Sequence, residues 1–134
     1  MRRVTAVVGA VVVSAAIAQA AAASTPGGHS LQVQLGEWNI VPSQGLVAGG
    51  SLRVTVENFG RLPHELDIIP TARWGDQLPV VHGRAVGHDV AAPVVVSPGQ
   101  TRSVRVHLKP GFYVLVDNMR GHYALGTEIP IVVA

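Results

Sequence analysis

The sequence predicts an all-β domain built as a two-sheet sandwich, on three observations. Apolar residues recur at every second position in several separate stretches. Turn signals rich in Gly and Pro break the chain at short intervals, with 15 Gly and 9 Pro in 134 residues. Two short apolar segments near the C-terminus read as buried strands rather than helices.

Residues 1–23 read as a secretory signal peptide. Arg2 and Arg3 form the charged start, and Val4 to Ile17 is an apolar run broken only by Thr5, Gly9 and Ser14. Ala18-Gln19-Ala20 and Ala21-Ala22-Ala23 place small residues at cleavage positions, so cleavage is expected after Ala23 and no stable membrane span remains. The mature protein is then extracytoplasmic, in the cell envelope, periplasm or outside the cell. Residues 24–29 form a short polar lead-in, expected to be flexible.

The domain proper is expected over residues 30–134. Leu31, Val33 and Leu35 alternate with Gln32, Gln34 and Gly36, and Trp38 and Ile40 continue with the same period. Leu52, Val54 and Val56 alternate with Arg53, Thr55 and Glu57; Val104, Val106 and Leu108 alternate with Ser103, Arg105 and His107. Each such stretch buries one strand face and wets the other. Pro42-Ser43-Gln44-Gly45, Gly49-Gly50, Asn58-Phe59-Gly60, Ser97-Pro98-Gly99-Gln100 and Lys109-Pro110-Gly111 mark the turns. Phe112 to Val116 is apolar on both faces, as suits a strand between layers. Ile129 to Val133 is a terminal strand that tolerates Pro130 at an edge or strand start. Ala72 to Pro93 has no clean period and reads as a long crossover with one short helical turn.

Composition narrows the function. The chain has no Cys, which excludes disulfides, thiolate metal sites, iron–sulfur clusters and a cysteine nucleophile. Its formal charge of +2 depends on Arg2 and Arg3; without them the basic residues equal the 8 acidic ones. Charge therefore points to neither nucleic acid nor an anionic membrane. There is no nucleophile-elbow serine and no phosphate-binding glycine loop, so no enzyme is expected. His64-Glu65-Leu66-Asp67-Ile68 lacks the second histidine of a zinc-protease helix and reads as a strand. Glu65 and Asp67 share one face of it, expected to be solvated. His107 is expected to face solvent, and His82 and His88 to sit in the exposed crossover.

Three residues remain. His64 shares parity with the inward Leu66 and Ile68. Asp117 ends the most apolar strand of the chain, an odd place for an unpaired carboxylate, and His122 follows five residues later. Two imidazoles and a carboxylate at one end of a sandwich suit a divalent transition metal. They equally suit a metal-free hydrogen-bonded closure in which Asp117 accepts from a histidine.

The residues from Ser97 onward resemble the end of a cupredoxin, the blue-copper family of plastocyanin- and azurin-like proteins. The likeness is carried by Pro110-Gly111-Phe112-Tyr113-Val114-Leu115-Val116-Asp117-Asn118, then Gly121-His122-Tyr123, and by Asn58-Phe59-Gly60-Arg61-Leu62-Pro63-His64 upstream. It implies a cupredoxin-like Greek-key β-sandwich, with His64 and His122 at the family's histidine positions. Asp117 then stands at the position of the copper thiolate and Thr127 at that of the axial methionine, with Arg120 replacing a loop proline. Blue electron transfer is disfavoured by these changes. The expected site is His64, Asp117 and His122 with Thr127 as a weak axial candidate, holding copper first and zinc second by the Irving–Williams order. The resemblance also implies a redox or envelope protein partner near the His122 loop, where Met119, Tyr123 and Leu125 are expected to form an apolar patch. A metal-free interaction module is the alternative reading.

Overall fold

The computed structural model describes residues 29–134. The expected export signal at 1–23 and the lead-in up to residue 28 lie outside the described residues.

The chain runs through β1 (Ser30–Gly36), β2 (Asn39–Pro42), β3 (Leu46–Val47), β4 (Gly50–Asn58), β5 (His64–Thr71), β6 (Val80–Val81), β7 (Arg84–Ala85), β8 (Val94–Val96), β9 (Thr101–Leu108), β10 (Gly111–Asp117) and β11 (Glu128–Val133). A 3-10 turn, Tyr123–Leu125, precedes β11. Two sheets face each other, one ordered β2-β1-β4-β9 and the other β3-β11-β10-β5-β8. The chain crosses repeatedly between them in Greek-key fashion, so β1 and β4 lie parallel although β2 and β3 separate them in sequence.

The period-two stretches explain the packing. Leu31, Val33 and Leu35 of β1 and Leu52, Val54 and Val56 of β4 are all at most 1% exposed. They meet Leu66 and Ile68 of β5, Leu115 of β10 and Ile131 and Val133 of β11 in one core. Pro130 sits inside β11 opposite Val114. Val132 sends its N–H outward to the Gly45 carbonyl. Two residues earlier Pro130 has the same orientation, and β3 pairs only with Val132 and Val133, so the missing donor has no partner to lose.

Two expectations fail locally. Trp38 does not continue the buried face of Ile40: Glu37 and Trp38 are the turn between β1 and β2, and Trp38 is 49% exposed with φ 65°. A bulky aromatic in the left-handed region costs about 1–3 kcal/mol and survives only where its surroundings over-determine it. The crossover holds no helical turn either. It forms the hairpin β6–β7, whose linking residues His82 and Gly83 have φ 51° and 78°. Two successive left-handed residues are what a tight type I′ hairpin demands, and Gly at the second supplies one without strain.

This crossover closes the outer face of the second sheet. Ile69, Val114 and Val116 form a second buried cluster with Ala85 and Tyr123, packed by Leu78. That cluster is why β10 is apolar on its outer face at Val114 and Val116, whereas Phe112 on the same face is 38% exposed.

Candidate metal centre

His64 opens β5, Asp117 closes β10, and His122 lies in the loop between Asp117 and the 3-10 turn. Strands β5 and β10 are antiparallel neighbours with Asp117 opposite Leu66, which carries His64 to the same end of the sandwich. His64 and Asp117 are 0% exposed and His122 is 9% exposed.

The carboxylate has a divided task. Oδ1 of Asp117 accepts the backbone N–H of Glu65 at 3.1 Å and of Met119 at 3.3 Å. Oδ2 is thereby turned to the histidines, 2.5 Å from Nδ1 of His64 and 2.6 Å from Nδ1 of His122. The two rings stand 5.4 Å apart, and the three donor atoms all lie within 4.8 Å of one another. Thr127 is also buried, and its backbone is tied to both ends of the loop: its carbonyl accepts from the Asp117 amide and its N–H reaches the His122 carbonyl. Its Oγ1 has no hydrogen-bond partner. His82, His88 and His107 are exposed and join no group of three ligating side chains among the described residues.

Several residues that sequence reasoning passed over build this site. Asn58, 1% exposed, folds the approach to His64: its Nδ2 donates to the Leu62 and Val96 carbonyls and its Oδ1 accepts from the Gly60 amide. Glu37 accepts the Arg61 and Leu62 amides through Oε1, which also lies 3.6 Å from Nε2 of His64. The Leu62 amide first, then that of Arg61, holds the Glu37 carboxyl below the usual carboxylate range. Trp38, next in the chain, packs edge-to-face against the His122 ring with centroids 5.0 Å apart. The one local signal for this turn was its placement between two alternating stretches.

The face carrying Glu65 and Asp67 is not solvated. Glu65 is 8% and Asp67 3% exposed, because the β6–β7 hairpin lies over them. Asn118 bridges the two parts: it donates to Oδ2 of Asp67 at 2.6 Å and to the Ala85 carbonyl, and accepts from the Ala85 amide. Arg84 pairs with Glu65 at 2.8 Å, and the Gly121 amide donates to the Gly83 carbonyl. Tyr123 belongs to this closure, not to an exposed patch: it is 7% exposed and its hydroxyl accepts the Leu78 amide. Leu125 is 64% exposed.

Burial pushes the Asp67 carboxyl up to about 7, aided by Asp89 and Glu65 and opposed by the Asn118 hydrogen bond and the Arg84 charge. A carboxyl raised on folding binds more protons folded than unfolded. Stability is therefore full below the unfolded value and falls as the pH rises through about 7. Asp67→Asn, which mimics the protonated carboxyl, is expected to unfold at a higher temperature than the parent at pH 8 and to lose most of this dependence. Each kcal/mol recovered moves the midpoint by about 4–8 °C in a domain of this size. Thermal melts of both proteins at pH 5 and pH 8 check it.

Neither a protein-family model nor a curated protein sequence matches the chain. Solved structures do. Reduced auracyanin from the photosynthetic bacterium Roseiflexus castenholzii is 20% identical, with 79% of this chain and 97% of that one covered and a TM-score of 0.58. Auracyanin B is 15% identical, covering 80% and 89%, at 0.59. Rusticyanin from Thiobacillus ferrooxidans is 21% identical, covering 81% and 79%, at 0.57. With its two facing sheets, their strand order and this likeness to auracyanin and rusticyanin, the chain has the cupredoxin fold.

Proposed function

We propose that this is an extracytoplasmic, non-enzymatic metal-binding protein that holds one divalent ion, copper before zinc, at a non-blue site of His64, Asp117 and His122. The observation that carries the reading is the approach of two imidazole Nδ1 atoms to a single carboxylate oxygen, all three side chains being buried. Two nitrogens and one oxygen form a borderline donor set that suits Cu(II), Zn(II) and Ni(II), with copper bound best. The unpartnered, buried Thr127 hydroxyl fits a weak fourth position. One of the similar structures is described as that of a copper protein, rusticyanin.

The chain departs from a blue site in having no sulfur donor but methionine. Bound copper would supply a one-electron centre biased toward Cu(II), because a carboxylate is harder than a thiolate. The protein's own part is to hold both nitrogens and the oxygen ready and to keep solvent away. Apart from Asp117, a ligand itself, the carboxylate beside the site is Glu37, which is tied to the Arg61 and Leu62 amides and faces Nε2 of His64, a place for holding the ring that supports a binding rather than a catalytic role. A protein partner would meet the His122 end, where Leu125 and Trp38 expose apolar surface.

The test is titration of the mature protein with Cu(II), followed by electron paramagnetic resonance. One equivalent bound, with nitrogen hyperfine structure and a pale colour, is the expected result. Affinity should weaken as the pH falls, because protons compete for both imidazoles and the carboxylate.

A metal-free interaction module is the second reading. It is favoured by the completeness of the hydrogen bonds that Asp117 can accept from both histidines. Absence of stoichiometric binding, together with capture of the same partner by protein stripped of metal, would establish it.

A further inference from the structure

We propose that the Glu37-Trp38 turn is a cap on the His64–Asp117–His122 group, in which Glu37 seats the His64 ring and Trp38 closes the His122 side to small ligands from solvent. The inference rests on the metal reading for what is protected, while the cap itself is a matter of how two side chains cover two rings.

The turn belongs to the opposite sheet from His64 and Asp117, yet its two side chains reach one histidine each. Glu37 approaches Nε2 of His64, and Trp38 lies against the ring of His122. Nε2 of His64 is fully buried and has no hydrogen-bond partner, so the Glu37 oxygen 3.6 Å away is the acceptor that faces it. When Nδ1 of an imidazole binds a metal, the ring proton resides on Nε2, and an outer carboxylate then fixes both tautomer and ring orientation. Glu37 is placed for that task. It is itself held by the Arg61 and Leu62 amides, just before His64 in the chain.

Gly60 keeps this approach open. A Cβ there would strike Oε1 of Glu37 and come within 2.7 Å of Nε2 of His64. The residue has no need of an unusual φ, so space alone demands glycine.

Trp38 carries the second half. Its φ of 65° is unfavourable for a bulky aromatic, and it remains half exposed, so neither backbone preference nor burial accounts for an indole here. Its edge-to-face contact with His122 does, since it leaves His122 only 9% exposed.

Two measurements test the cap. The first needs no metal: labelling of accessible imidazoles with diethylpyrocarbonate, read residue by residue by mass spectrometry. In the parent, His82, His88 and His107 should react and His64 and His122 should be protected. Trp38→Gly, which suits the positive φ and so keeps the turn, should raise His122 labelling to the rate of His82 while leaving His64 protected. Trp38→Phe should restore protection. Glu37→Ala should expose His64, and Gly60→Ala should reproduce that effect.

The second uses the copper-loaded proteins with azide as a small competing ligand. Azide should generate a new charge-transfer band in Trp38→Gly at concentrations that leave the parent spectrum unchanged. Glu37→Ala should weaken Cu(II) binding by about 10–100-fold, the usual effect of losing an outer-shell partner. Unchanged labelling of His122 in Trp38→Gly and of His64 in Glu37→Ala would overturn the cap. If the parent binds no copper, the metal reading falls, and labelling alone decides whether the turn covers the two rings.

Discussion

Copper-loaded Asp117→Cys is expected to be intensely coloured where the parent protein is pale, with a strong visible band that the parent lacks. The residue sits where a donor would have to be, buried and within 2.5–2.6 Å of both Nδ1 atoms. A thiolate there makes a short, covalent bond to copper, whose charge-transfer absorption is the source of a blue site's colour; a weak axial ligand such as the Thr127 hydroxyl is no obstacle. The Glu65 and Met119 amides that now hold Oδ1 would remain to receive the sulfur. Visible absorption of the purified, Cu(II)-titrated variant checks the result. A variant that binds copper but stays pale would show that the Asp117 position does not share an ion with both imidazoles.

The second large effect concerns the histidines. His64→Ala and His122→Ala are each expected to weaken Cu(II) binding by more than about 100-fold, beyond what the loss of an outer-shell partner does. His82→Ala and His88→Ala should leave it unchanged, because both side chains are exposed and stand outside the ligating group. Asp117→Ala should also lower stability without metal. It strands the two buried Nδ1 atoms and frees the Glu65 amide, each orphaned group costing about 1–3 kcal/mol. Isothermal titration with Cu(II) and thermal melts of the metal-free proteins separate the two effects. Loss of binding in His82→Ala but not in His64→Ala would place the metal in the crossover instead.

Parity along the strands made much of this readable in one dimension. A strand has a period of two, so Leu31–Val33–Leu35, Leu52–Val54–Val56 and His64–Leu66–Ile68 declare their buried faces without reference to any neighbour. By the same rule Asp117 shares the face of Tyr113 and Leu115, and the loop that follows resembles a known family ending. Fold, core and the three candidate ligands therefore follow from local pattern and resemblance. Thr127 was named the same way, and the structure adds that its hydroxyl is buried without a partner.

What the pattern could not fix is what covers the outward faces. Glu65 and Asp67 look like solvated carboxylates because a strand's outer face is wet unless something distant lies on it. Here the β6–β7 hairpin does, through Asn118, Ala85 and Arg84, and it draws Tyr123 inside as well. Trp38 failed for the opposite reason: periodic apolar residues were read through a turn, where chain reversal cancels parity. Its place against His122, and that of Glu37 beside His64, arise because one sheet's hairpin reaches the end of the other. Sequence determined the strands and their inward faces, since these depend on neighbours along the chain, and with the family resemblance it singled out the three candidate ligands. Only the tertiary structure decided which oxygen the histidines share and which residues close over them, since those contacts join positions from 5 to 84 apart and are fixed by strand pairing within one sheet and by packing between the two.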